Sequence, residues 1–544
     1  MFSLKITKNF LPAALALTLI TACGGIRKAI NKTDDQGNKP RVQTANVNDS
    51  EAREIARLKS LYNPWGFARP NLVNDSYGVW RQSGVAFVRP GYDSLQMRMT
   101  LLDQATTSVR VQSFIMAGDE TGQMFANKLI ELASRGVQVQ FLLDDTAVIF
   151  KGSQNLYYYL TSHGIKVMGY RPVWMQIANN PSVFERIFSG TTFSERFGGA
   201  LTAAKIENHR FHEKIMVIDA EVPGRGIGMV GGTNIANEYY DIIGEPTGVK
   251  WRDQDMIVQG DIAADLARAF DSNVGDAEAI NQGATSTGLS GTIEQFLSGA
   301  RGTFGNSNAR GIELRPYAMR QIYDALQQNV LLRWDQANLR MIHHRPLHNE
   351  FKAEQRFVDA ITNANREVII VNPYVIPSDA MLSTLINTAR RGVRIKILTN
   401  SLESGDTPTV QEIGRSFYKS LILETQPSAR WPGSVPIAIY EWGGDKVFKN
   451  GFSNFHAKYM IVDRQIAFLG SFNLDPRSSV FNSEVLFETD APLLVAQLIE
   501  QQAHDSGPSF ANFVTREMAE SYLSTGNSWE DMRRQFLKLI KTYW

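Results

Sequence analysis

One series of segments is written twice in this chain, and a duplication of that kind narrows the available folds more than composition does. "LASRGVQVQFLLDD" at 132–145 matches "TARRGVRIKILTNS" at 388–401. Each reads as a helix end, an Arg-Gly stop and an alternating strand. Gly136 and Gly392 stand where a helix C-terminus needs a residue tolerant of positive φ. Upstream of each lies an apolar strand, "SVRVQSFIM" and "EVIIVNPYVI", followed by a helical pattern. Strands alternating with helices predict a largely parallel sheet covered by helices on both faces. Two α/β halves are expected.

Downstream of each block the chain repeats a second phrase, "FHEKIMVID" at 211–219 and "FHAKYMIVD" at 455–463. Spacing of two on a strand puts His212 beside Lys214, and His456 beside Lys458, while Glu213 and Ala457 point the other way. Both copies continue to an aspartate, Asp219 or Asp463, and then to G-G/S-x-N ending in Asn234 or Asn473. A neutral imidazole can attack or, once protonated, donate a proton, and a neighbouring ammonium stabilises an oxyanion. One half supplies a single pair. Two halves facing each other would supply two, which suits displacement at phosphorus: one histidine attacks and the other protonates the leaving oxygen. Both lysines, with Asn234 and Asn473, would hold the non-bridging oxygens. That scheme calls for no metal and no cofactor. Asp219 and Asp463 fall beyond the strand and read as structural partners.

These paired motifs strongly resemble the phospholipase D superfamily, whose two HKD motifs comprise His212, Lys214 and Asp219 in one copy and His456, Lys458 and Asp463 in the other. The resemblance implies two duplicated phospholipase D-like α/β/α sandwich domains packed around a pseudo-two-fold axis. "GSFNLDPRSSVFNSE", "VGGTNIANEYY" and "KWRDQDMIVQG" are similar to segments of bacterial cardiolipin synthases, the C-type branch in particular. That likeness implies a phosphatidyl-histidine intermediate resolved by an alcohol. Phosphatidylethanolamine is the implied donor and phosphatidylglycerol the acceptor; water as acceptor would give hydrolysis to phosphatidic acid. Carried over residue by residue, His212 is the nucleophile and His456 the general acid, an assignment that near-symmetry allows to be reversed. Asp255 and Glu484 resemble the acids that orient the imidazoles, each reaching across to the other half's histidine. Thr233 in place of an expected arginine, acidic Glu213 and the insertion "EVPGRGIG" depart from the cardiolipin synthase pattern and leave the acceptor open.

The ends of the chain give an address and boundaries. "MFSLKITKNFLPAALALTLITAC" has two lysines, an apolar run too short to span a bilayer, and Cys23 as the chain's one cysteine. Residues 1–22 read as a lipoprotein signal peptide, with lipidation at Cys23 in a segment resembling a bacterial lipobox. Gly24 then favours the periplasmic face of the outer membrane. Residues 23–85 form a tether and leader, 86–274 the first domain, 275–345 a Gly- and Ser-rich linker or insertion, and 346–544 the second domain with a C-terminal helix. Because the duplication completes the site within one chain, a monomer is expected.

Nucleases share this chemistry, so substrate class needs its own grounds. A net charge of +1 gives no general basic excess for nucleic acid. "RPVWMQIANNPSVFERIF" before the first motif and "WPGSVPIAIYEWGGDKVFKNGF" before the second are apolar and aromatic, as acyl chains or a bilayer surface would require. Phospholipid substrates at a membrane are therefore expected, with nucleic acid, or lipid binding without turnover, as the alternatives. His343, His344 and His348 match no metal-ligand spacing and read as linker or surface histidines.

Overall fold

The computed structural model describes residues 49–68, 70, 72–144, 154–170, 209–243, 250–285 and 314–522. Cys23, the stretch 171–188 and the expected helix near the C-terminus lie outside these.

The first half contributes β1 (Arg81–Val88), β2 (Ser108–Ser113), β3 (Gln138–Asp144), β4 (Lys166–Tyr170), β5 (Ile215–Ile218), β6 (Ile227–Gly231), β7 (Lys250–Arg252) and β8 (Asp255–Gln259). The second contributes β9 (Trp334–His344), β10 (Glu367–Val371), β11 (Arg394–Asn400), β12 (Ala438–Trp442), β13 (Phe452–Phe455), β14 (Tyr459–Val462), β15 (Ile466–Gly470), β16 (Glu484–Thr489) and β17 (Ala511–Phe513). Fifteen strands form one sheet in the order β17-β12-β11-β10-β14-β15-β16-β9-β1-β8-β6-β5-β2-β3-β4. From β12 to β4 this order is a palindrome of the duplication, with β1 and β9 antiparallel at its centre. The duplicated α/β plan with its pseudo-two-fold axis is thus built around a shared sheet.

Two expectations need correction. The sheet is not largely parallel: parallel pairing is confined to β2-β3-β4 and β10-β11-β12. The H-x-K strands β5 and β14 each return through a short connection into β6 and β15, and so short a link can join only antiparallel neighbours. Nor is 275–345 all linker. The helix Asp261–Thr285 runs through its start, and β9 at its end is a central strand, the counterpart of β1. His344 in β9 is fully buried, and His348 faces Asp276 at 2.9 Å.

Packing follows the same symmetry. One apolar cluster belongs to the first half and another to the second. A third is shared: Val217, Val258 and Leu266 from the first half pack in one cluster with Ile461, Leu469, Val485 and Leu498 from the second. Each such fully buried aliphatic side chain is worth about 1.5–3 kcal/mol, so the seam is part of the core and holds the halves in fixed register. Trp442, in the aromatic stretch before the second motif, belongs here: it is fully buried against Phe452, Phe455 and Phe510. That part of the stretch is core, not a surface for acyl chains.

Candidate active site

The two motif aspartates sit at the far ends of their strands. Asp219 has φ 48° and Asp463 φ 50°, a left-handed conformation that aspartate tolerates better than most residues. Asp219 accepts from the backbone N–H of Thr106, Thr107 and Ser108 at 3.1, 2.7 and 3.1 Å. Asp463 accepts from those of Asn365, Arg366 and Glu367 at 2.8, 2.7 and 3.0 Å. Each carboxylate fastens the turn entering β2 or β10. Both carboxylates thus anchor the strand ends opposite the motif histidines.

The other ends of the same strands converge. His212 Nδ1 lies 3.0 Å from both Glu484 carboxylate oxygens, and His456 Nδ1 lies 2.7 Å from Asp253 Oδ2. Backbone contacts run in parallel: His212 N–H donates to the Ser483 carbonyl at 3.1 Å, and His456 N–H to the Arg252 carbonyl at 2.6 Å. Each motif histidine is therefore held by the opposite half. A short two-stranded ribbon of β7 and β13 closes the seam beside His456. A carboxylate at Nδ1 keeps the ring proton there, leaving Nε2 as the nitrogen available to phosphorus.

Asp255 is not the second orienting acid. In the first half Gly231 pairs with Asp255, whereas in the second Gly470 pairs with Leu486. The counterpart of Glu484 is thus two residues before Asp255, at Asp253. Asp255 instead accepts a fork from Arg98 at 2.9 and 3.1 Å and a hydrogen bond from Ser94 at 2.7 Å, all buried. Gly232 makes room for Asp253, since a Cβ there would lie 2.1 Å from its carboxylate.

Lys214 and Lys458 are buried, and each donates to the carbonyl of its own strand's histidine. Burial, the largest effect, pushes Lys214 down to about 7 and Lys458 down to about 8. Burial and both lysines' charges hold His212 and His456 well below the usual imidazole range. Burial in turn raises Glu484 to about 7 and Asp253 to about 8. Each histidine feels both lysines, and His456 feels His212, so four ionisable groups from two halves share one field.

Asn234 and Asn473 differ. The Asn234 amide accepts from Ile115 N–H at 3.0 Å and donates to the Tyr239 hydroxyl at 2.9 Å, fixing the loop after β2. Among the described residues Asn473 Oδ1 is buried without a hydrogen-bond partner. The spacing also hid Glu213. Far from idle on the outer face, it is fully buried, accepts from Gln112 at 2.7 Å and Asn273 at 3.0 Å, and takes the Ser483 hydroxyl. It thereby braces the residue beside Glu484, a role that Ala457 cannot play in the other half.

The family model described as cardiolipin synthase, PLD-like domain, matches residues 99–272 and 357–505. The chain belongs to this family. Both family segments carry an H-x-K strand. Cardiolipin synthase C of Escherichia coli is 27% identical over 77% of this chain and 84% of its own. A cardiolipin synthase of Halalkalibacterium halodurans is 25% identical over 76% of this chain and 65% of its own. The crystal structure of phosphatidylserine synthase from Haemophilus influenzae shares the fold at a TM-score of 0.53 and 13% identity, covering 90% of this chain and 99% of that one.

Proposed function

We propose that this enzyme transfers phosphatidyl groups between phospholipids through a covalent phosphatidyl-histidine. The observation that carries the reading is the pair of histidine–carboxylate contacts, 3.0 Å at His212 and 2.7 Å at His456, each built across the seam. His212 Nε2 attacks phosphorus, the bond to the headgroup oxygen breaks, and the proton on His456 Nε2 passes to that oxygen. His456 then takes the proton of an incoming alcohol, which attacks phosphorus and frees His212. Lys214 and Lys458 stabilise the oxyanion, and the negative charge of an arriving phosphate diester favours both their charged forms and the imidazolium of His456 that the acid step uses.

Phosphatidylethanolamine as donor and phosphatidylglycerol as acceptor fit the likeness to cardiolipin synthases. Lipidation at Cys23 would hold the enzyme at the periplasmic face of the outer membrane. Among the described residues no helix is long and apolar enough to cross a membrane. One chain supplies both histidines, so a monomer suffices.

Product analysis with defined mixtures of the two lipids tests this. Cardiolipin formation that survives EDTA is expected. Phosphatidic acid as the sole product would replace transfer by hydrolysis, and no conversion of either lipid would refute the phospholipid reading.

A further inference from the structure

The pseudo-symmetry stops at the second layer around the histidines. His212 has the Phe114 ring at 5.2 Å, and the positive charge of Arg477 acts on it. His456 has Tyr239 at 5.5 Å and Trp251 at 5.6 Å, with those two rings 4.9 Å apart. On the His456 side there is also an exposed carboxylate, Asp406. It accepts from the hydroxyl of half-buried Tyr374 at 2.8 and 2.9 Å.

Backbone fastenings bring this carboxylate to the site. Asn400 accepts from Phe455 N–H at 2.9 Å and donates to its carbonyl at 2.7 Å, and Phe455 directly precedes His456. The Ser404 hydroxyl, two residues before Asp406, lies 2.6 Å from the Trp442 carbonyl and 2.9 Å from Asn400 Oδ1, its one proton shared between these acceptors. On the other side Asn372 donates to the Phe472 carbonyl at 3.2 Å and accepts from Leu474 N–H at 3.0 Å, so Tyr374 leaves β10 beside the loop carrying Asn473. The negative charge of Asp406 reaches inward to Lys458 and to the Tyr239 hydroxyl.

We propose that Asp406 and Tyr374, with the half-buried Trp251 ring beside His456, form a subsite for the cationic amine headgroup of the donor lipid. An open carboxylate accepts ammonium hydrogen bonds, and aromatic faces attract the same charge. The subsite rests on the phosphatidyl-transfer reading with His456 as general acid. The departing headgroup oxygen must lie next to the proton donor, and its amine, a few bonds further out, meets Asp406 at the rim. A cationic headgroup on the other side would face Arg477.

Steady-state transfer from vesicles containing phosphatidylethanolamine, or phosphatidylmethanol as a donor with an uncharged headgroup, tests the assignment. Asp406→Asn should raise KM for phosphatidylethanolamine about tenfold, the value of one charge-assisted contact, with kcat and the phosphatidylmethanol KM within about twofold. Tyr374→Phe should shift the same KM in the same direction by less. An equal loss on both donors, or none on either, would overturn the subsite while leaving the chemistry in place. If the wild-type protein turns over neither lipid, the transfer reading falls and the subsite with it. Asp406 is exposed, and a thermal unfolding curve superimposable on wild type confirms that the variant folds.

Discussion

Two aspartates separated by a single glutamine should behave in opposite ways. Asp253→Asn removes the carboxyl group 2.7 Å from His456 Nδ1 and puts in its place an amide that can present its NH₂ to the ring. Asp253 touches no arginine fork, so the folded state keeps its packing. What is lost is control of the tautomer and stabilisation of the imidazolium. Loss of such a carboxylate costs about 10²- to 10⁴-fold in kcat, or about 2.7 to 5.4 kcal/mol of barrier. Asp255→Asn strips the partner from Arg98, whose side chain is 5% exposed. An uncompensated buried cation costs about 3–5 kcal/mol, so this variant should lose stability first. Phosphatidyl transfer in a single turnover, read beside thermal unfolding, separates the two. Asp253→Asn should unfold near the wild-type temperature and turn over slowly; Asp255→Asn should unfold markedly lower, with its folded fraction active. The reverse outcome, or near-wild-type turnover by Asp253→Asn, would refute the register argument.

Further expectations concern the same site and its anchors. Glu484→Gln should lower kcat by about 10²-fold or more, and an effect below about twofold would remove it as the orienting acid of His212. Burial lowers the lysines to about 7 and 8, so in the free enzyme their ammonium charge drains away as pH rises through that window. Burial also disfavours a proton on His212 and keeps it nucleophilic, so kcat/KM should fall from about pH 7 upward while kcat, with phosphate bound, falls later. A kcat/KM still climbing at alkaline pH would contradict this. Asp463→Ala orphans three backbone donors and should cost about 3 kcal/mol or more in chemical denaturation, with the surviving folded protein active; loss of turnover at unchanged stability would return Asp463 to the chemistry.

Much of this was legible because the chain states its plan twice. Matching H-x-K strands and glycines at helix ends located both halves, and Gly136 and Gly392 do take positive φ. Glu484 was legible through the resemblance of "FNSE" to the family's orienting acid. Its partner was not: eighteen residues lie between Asn234 and Asp253 against ten between Asn473 and Glu484, so counting cannot align them. In "RDQDMIVQG" both acids lie on the same face of an extended chain, and only strand register tells them apart. Aligning Met256–Val258 with the apolar run of β16 was the one available signal. Glu213 escaped for a related reason. Alternation assigns it the outward face of β5, but the helix Asp261–Thr285 covers that face and supplies Asn273 as its partner. The antiparallel sheet centre was hidden because an apolar run carries no direction.

The covalent step itself offers the most direct test. Phosphorus-labelled phosphatidylethanolamine, mixed with His456→Ala protein and quenched in alkaline denaturant where a phosphoramidate survives, should leave label on the peptide containing His212. His212→Ala should leave none. Label on neither histidine, in wild-type and variant protein that still consume the lipid, would contradict the account.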